Sequence, residues 1–267
     1  MAAIWKDGVR TDLTDASLSH GAMAWYLYID GGTVYVAGYY YDGANYIATV
    51  WKDGVRTDLT NAIFSTEASA NSIYVSNGVV YVTGYYYDGA NYIATVWKDG
   101  VRTDFDDDPS IIHSYPWAVY VKDDVVYAAG AYSDISGYPI PASWQDGVKI
   151  DLITGVQPSN YNAAWSISGS EGSVYIAGSY YDGVSSKIAT IWQDGARTDL
   201  TDASISSYAD AYSICVNNST VNAVGYYVDD GTGDIIAAIW QDGVKTDLTD
   251  GTLSTEAYAT SVYVDVH

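Results

Sequence analysis

Positive charge is scarce in this chain. Eleven lysines and arginines stand against 33 acids in 267 residues, a formal charge of −22. Phosphate recognition needs a basic footprint, so the balance excludes nucleic acid as a partner, and anionic lipid surfaces with it. Cysteine is reduced to Cys215, so the chain forms no internal disulfide. Its setting, Ser213-Ile214-Cys215-Val216, reads as a small buried apolar residue with no base beside it to make a thiolate. No apolar run has the length of a membrane helix, and no basic-then-apolar leader is legible near Met1. The three histidines, His20, His113 and His267, lack metal-ligand spacing. There is no Walker loop, Gly-x-Ser-x-Gly or His-Glu-x-x-His, and Glu67, Glu171 and Glu256 are the only glutamates. With so little catalytic signal, the expectation is that the chain is not an enzyme.

Tyrosine, by contrast, occurs 28 times against two phenylalanines, and the acids are almost all aspartate. Tyrosine and β-branched residues favour strands while aspartate favours turns, which makes an all-β composition. Its order comes from Trp-(Lys/Gln)-Asp-Gly, whose tryptophans are Trp5, Trp51, Trp97, Trp144, Trp192 and Trp240, at intervals of 46, 46, 47, 48 and 48. A period in the forties built from short strands and tight turns marks a β-propeller.

One repeat reads as four strands. Ser72-Ile-Tyr-Val75 is closed by Asn77-Gly78, a type I′ hairpin signal. Val79 to Thr83 continues through Gly84 to Tyr87, Asp88-Gly89 turns into Tyr92 to Trp97, and Asp99-Gly100 turns into Val101 to Asp104. A longer irregular crossover leads to the next repeat. The chain starts at a third strand, Ala2 to Trp5, and ends in a first strand, Ser261 to Val264. The expectation is one domain over residues 1–267. It is a six-bladed propeller of four-stranded antiparallel meanders, with a closing blade shared by both termini and lacking its second strand. The six tryptophans are expected to pack between blades. Arg10/Asp12, Arg56/Asp58 and Arg102/Asp104 lie two apart on the outermost strand and are expected to protect that edge.

The crossovers and the second-to-third turns vary most among the copies and share one face. At the entry to the first strand stand Trp25, Asn71, Trp117, Trp165, Tyr212 and Thr260. Aromatics beside polar turns suit sugar recognition, a ring stacking on the sugar while Asp, Asn and Tyr bond its hydroxyls. Trp25, Trp117, Trp165, Tyr212, Tyr46 and Tyr92 are the candidate ligand residues. Asp229, Asp230 and Asp234, in an Asp-Asp-Gly-Thr-Gly-Asp turn, are candidates for Ca²⁺, as is the Asp106-Asp107-Asp108 run; no other cofactor is implied.

The stretch Ala48-Thr-Val-Trp51-Lys-Asp-Gly-Val-Arg-Thr-Asp-Leu59, then a Ser/Ala-rich crossover and Ser72-Ile-Tyr-Val-Ser-Asn-Gly-Val-Val-Tyr-Val, resembles the HAF-type extracellular repeats of bacterial surface proteins. The likeness spans the chain, although Ala-Thr-Val or Ala-Ala-Ile replaces the His-Ala-Phe triplet. It implies a scaffold and an extracellular or cell-surface setting. Val34 to Leu59 and Val80 to Asp104 are nearly identical, a sign of recent duplication or of deliberate design. The function expected from these readings is a non-catalytic binding module for carbohydrate. The alternative is a structural or adhesive scaffold that self-assembles through the incomplete closing blade.

Overall fold

The turns form where the sequence places them. A computed structural model describes residues 2–14, 21–61, 65–105, 108, 110–153, 159, 162–170, 172–204, 206–250 and 255–264. Asn77 and Gly78 have φ of 51° and 77°, and Asp53 and Gly54 have 48° and 81°. Two successive positive φ values give the type I′ hairpin. The connection from second to third strand is built differently. Asp42 Oδ1 accepts the N–H groups of Ala44 and Asn45 at 2.8 and 2.7 Å, so this is a turn closed by an aspartate side chain. His20, Asp106, Asp107, Glu171 and His267 lie outside the described residues.

Strands β1 (Ala3–Lys6) and β2 (Val9–Asp12) form a two-stranded sheet. The first full meander is β3 (Ala22–Asp30), β4 (Thr33–Tyr41), β5 (Tyr46–Lys52) and β6 (Val55–Asp58). The second is β7 (Ala68–Ser76), β8 (Val79–Tyr87), β9 (Tyr92–Lys98) and β10 (Val101–Asp104). The third is β11 (Ile111–Lys122), β12 (Val125–Asp134), β13 (Pro139–Gln145) and β14 (Val148–Asp151). Strands β15 (Ala163–Ser170), β16 (Ser173–Tyr181), β17 (Lys187–Gln193) and β18 (Ala196–Asp199) make the fourth. The fifth is β19 (Ala209–Asn217), β20 (Thr220–Val228), β21 (Ile235–Gln241) and β22 (Val244–Asp247). The chain is all-β, built from antiparallel meanders. Ser261 to Val264, expected as a first strand, is not in a strand; the Val262 N–H donates to Ser213 Oγ at 3.3 Å.

The contacts divide the chain into two compact units. Unit 1 is residues 1–128 with 144–149, and unit 2 is residues 129–143 with 150–267. In unit 1, Ala37, Ala48, Ala68, Ala70, Ile73, Val82 and Trp97 close one apolar core. In unit 2, Ala177, Ala189, Ala209, Ala211, Ile214, Ala238 and Trp240 do the same. Each joins two successive meanders, which bury small residues of one sheet under a large ring of the next.

The repeated tetrapeptide can now be decoded. Trp51, Trp97, Trp144, Trp192 and Trp240 are fully buried between sheets. Trp5 departs from its copies and is 67% exposed, because it belongs to a two-stranded sheet with little to cover it. The aspartate after each tryptophan takes a positive φ and also turns its carboxylate back to the second strand. Asp53, Asp99, Asp146, Asp194 and Asp242 accept the N–H groups of Val34, Val80, Val126, Val174 and Val221, each at 2.9 Å. The rim pairs form as expected, with Arg56–Asp58 and Arg102–Asp104 both at 3.1 Å. Beneath them lies a tyrosine. Arg56 and Arg102 sit 4.1 and 4.3 Å over the rings of Tyr40 and Tyr86, whose hydroxyls donate to the same aspartates at 3.0 Å.

Serines stitch one meander to the next. Ser72 Oγ accepts the Val119 N–H at 3.3 Å, and Ser166 and Ser168 accept those of Ile214 and Val216 at 3.2 Å. A β-bulge interrupts the first strand at Trp25, Asn71, Trp165 and Tyr212. It pushes the backbone into the second strand, opposite Gly38, Gly84, Gly178 and Gly225. A Cβ at Gly84 would lie 1.9 Å from the Ser69 carbonyl oxygen, and one at Gly225 would lie 1.8 Å from that of Asp210. Glycine recurs there because only hydrogen fits, and the bulge re-aims the residues around it.

Candidate functional site

The bulges gather polar and aromatic side chains in each unit. In unit 1 the last crossover residues before β7 are pinned between two strands. The Tyr46 N–H donates to the Thr66 carbonyl at 3.1 Å, and the Tyr87 N–H to that of Glu67 at 2.7 Å. Ser65 Oγ donates to the Glu67 carbonyl at 2.7 Å and accepts the Glu67 N–H at 3.1 Å. Glu67 is thereby fixed at the mouth of the bulge, partly exposed. The Tyr92 hydroxyl, from the start of β9, donates to Glu67 Oε2 at 2.7 Å.

Around this pair stands a set of tyrosines. Tyr92 packs against Tyr85 at 5.5 Å, Tyr87 at 5.2 Å and Tyr115 at 5.5 Å between ring centroids. His113 lies 5.2 Å from Tyr92 and 6.2 Å from Tyr115. Tyr46 meets Tyr39 edge-on at 5.4 Å, and Trp25, half-exposed, is 6.2 Å from Tyr39. The hydrogen bond to Glu67, and then burial, push the Tyr92 phenol upward, so it keeps its proton. Burial, with Glu67 as a further cause, pushes Tyr85 and Tyr115 up to about 12. Chemically, the group offers a partly exposed carboxylate, neutral phenol donors and ring faces.

In unit 2 a buried ion pair stands nearby in the repeat, with Lys187 at the position of Tyr92 and Asp210 at that of Ser69. Asp210 (1% exposed) accepts from Lys187 Nζ (5% exposed) at 2.5 Å through Oδ2. Its Oδ1 accepts the Trp165 indole N–H at 2.8 Å. Lys187 Nζ lies 4.8 Å over the Tyr208 ring. Tyr226 packs 5.5 Å from Tyr212 and 4.9 Å from Tyr258, and burial pushes its phenol upward.

Of the sequence candidates, Tyr92 bonds Glu67 and Tyr46 bridges to it through the backbone, Trp25 packs beside Tyr39, and Trp165 bonds Asp210 with Tyr212 against its ring. Trp117 lies on β11 two residues beyond Tyr115. Asp229, Asp230 and Asp234 share one turn, held by bonds within it and to Ser207. Asp229 Oδ1 accepts the Gly231 N–H at 2.8 Å, Asp230 accepts the Ser207 hydroxyl at 2.6 Å, and the Asp234 carbonyl accepts the Asp229 N–H at 2.9 Å. Among the described residues no three His, Cys, Asp or Glu side chains converge as metal ligands. Sequence reasoning missed Glu67, Lys187 and Asp210. A signal existed: Lys187 is a base outside the rim hairpin, and Asp210 is an aspartate inside a strand.

No protein-family model matches the chain, and no curated protein does. Solved structures with a similar chain trace include a thermostable family-43 glycoside hydrolase, at 14% identity over 86% of this chain and 93% of that one, with a TM-score of 0.49. A GH43_1 enzyme from Xanthomonas citri follows at 12% identity, 88% and 92% coverage and a TM-score of 0.44. A mutant of AofleA from Arthrobotrys oligospora matches at 14% identity, 94% and 79% coverage and a TM-score of 0.44. The activities in those names belong to those proteins. The expectations of a non-catalytic module, lectin or scaffold, and of no enzyme, are corrected at this point. Glycoside hydrolases stand among the matched chains, and the reasoning behind the expectation fails on physical grounds. Glycoside hydrolysis uses carboxylates from separate segments, so the lack of a contiguous motif does not exclude it.

Proposed function

We propose that this protein acts on a neutral glycan and cleaves it, with Glu67 as the working carboxylate. The observation that carries the reading is the Tyr92–Glu67 hydrogen bond of 2.7 Å, set among Tyr85, Tyr87 and Tyr115. Aromatic faces take the C–H face of a sugar while phenol and carboxylate oxygens take its hydroxyls. The phenol holds the carboxylate in one orientation, and Glu67 acts as general base. It takes a proton from a water whose oxygen bonds to the anomeric carbon, while the glycosidic C–O bond breaks and the departing oxygen takes a proton from solvent. A formal charge of −22 disfavours an anionic glycan and leaves neutral ones. The recurrence of Trp-(Lys/Gln)-Asp-Gly six times supports counting the meanders as six propeller blades. A glycan substrate agrees with the extracellular setting that the likeness to HAF-type repeats implies.

The test is release of reducing ends from a panel of neutral polysaccharides by the full chain. Cleavage of at least one is expected, with a fall of roughly 10²–10⁴-fold in Glu67→Gln. No release from any substrate by folded protein, or unchanged release in Glu67→Gln, would remove Glu67 from the role.

A further inference from the structure

Unit 2 buries two opposite charges where the other repeats carry none. By strand register Lys187 occupies the position of Tyr46, Tyr92 and Ile235. Asp210 occupies that of Met23, Ser69 and Ala163, directly before the bulge. The fold does not require the pair, since its other copies close around a methionine, a serine or an alanine at the second of these positions. A buried ion pair is also a weak source of stability, because desolvation offsets its attraction. What the pair does hold is Trp165. Asp210 fixes the indole through Nε1 at 2.8 Å, and Lys187 fixes Asp210. Tyr212 braces the ring at 6.1 Å and 68°. The ring stays partly exposed at a bulge while its anchor is almost wholly buried.

We propose that Trp165 is a second glycan contact, a stacking platform in unit 2 whose orientation is set by Asp210 and Lys187 as positioning residues. An indole locked by a charge-assisted hydrogen bond meets a sugar face without losing rotamer freedom on binding, which is how a fixed aromatic raises affinity. The inference takes its ligand class from the function proposed above, but not its reaction.

The experiment separates the two. In Glu67→Gln protein, where turnover cannot consume the probe, xylohexaose, arabinohexaose, cellohexaose and mannohexaose are titrated in turn. The Trp165 indole N–H resonance is followed, assigned by its loss in Trp165→Phe. The expected result is a saturable shift of that resonance with at least one probe. Affinity should fall at least tenfold in Trp165→Ala and recover largely in Trp165→Phe. The double variant Asp210→Asn with Lys187→Met removes both charges together and so avoids stranding one. It should still fold, move the free Trp165 resonance and weaken binding several-fold. A Trp165 resonance unmoved by all four probes, or undiminished affinity in the double variant, would overturn the inference. If Trp165 responds while unmodified protein cleaves no glycan, the inference stands and the proposed reaction falls.

Discussion

Two meanders with nearly the same backbone fill equivalent positions with different chemistry. In β7 and the residues leading into it, the position four before the bulge is Glu67 and the position two before it is Ser69. In β19 and the residue leading into it those positions are Tyr208 and Asp210. Acid and hydroxyl have changed places, and two residues of displacement decide the outcome. At the outer position the carboxylate stays partly exposed, and a phenol suffices as its partner. At the inner position the carboxylate is sealed in, and only a full positive charge offsets its desolvation. The same scaffold thus yields an acid open to a ligand in unit 1 and an anchored tryptophan in unit 2.

The largest expected effect should not distinguish the units at all. Trp97→Ala and Trp192→Ala each empty a fully buried site and should cost about 3–5 kcal/mol in urea unfolding. Trp5→Ala, in the exposed copy, should stay within about 0.5 kcal/mol. Equal losses at all three would remove the link between burial and the repeat. The carboxylates should separate the units sharply. Asp210→Ala strands a buried ammonium and should destabilise by roughly 3–5 kcal/mol. Glu67→Gln keeps a hydrogen bond with Tyr92 available and should cost about 1 kcal/mol or less. If Asp210→Ala unfolds no more easily than Glu67→Gln, the contrast between sealed and open acids is wrong.

Next come the bulge glycines. Gly84→Ala and Gly225→Ala drive a methyl into a backbone carbonyl, and each should cost about 1–3 kcal/mol, visible as a lowered unfolding midpoint. Alkaline titration sharpens the picture of unit 1. Tyr85 and Tyr115 ionise near 12 when folded, above the ordinary phenol value. The folded state holds their protons more tightly than the unfolded chain does. Their contribution is therefore fully present below pH ~10 and is lost as pH rises from there through about 12. Absorbance near 295 nm should show a late phenolate phase coincident with unfolding. Smallest of all should be Arg102→Ala at the rim, about 1 kcal/mol or less, since its ion pair and ring contact are both solvent-facing.

Much of the fold was legible because its determinants are local. Asn77-Gly78 specifies its own positive φ pair, and the tryptophan period reports the strand count. The bulge was not legible. Its cause is a register shift between Ala70 and Ser72 against β8, and the only local trace is a glycine facing it. That gap explains why the site was half found. Tyr92 and Trp165 stood out as aromatics next to turns. Their partners, Glu67 and Asp210, reach them across 25 and 45 residues. The first separation is set by the pairing of strands within one meander and the second by the stacking of successive repeats, and no short motif encodes either.

The serine stitches have a consequence for ancestry. Each joins a side chain of one repeat to a backbone N–H of the next, across 47, 48 and 49 residues. The donating N–H belongs to whatever residue stands there, so the joint asks nothing of its neighbour's identity. A gene segment copied in tandem therefore arrives with its connector already attached. The near-identity of Val34 to Leu59 and Val80 to Asp104 is what such a lineage would leave behind, and the sites at Glu67 and Asp210 are where later copies were free to diverge.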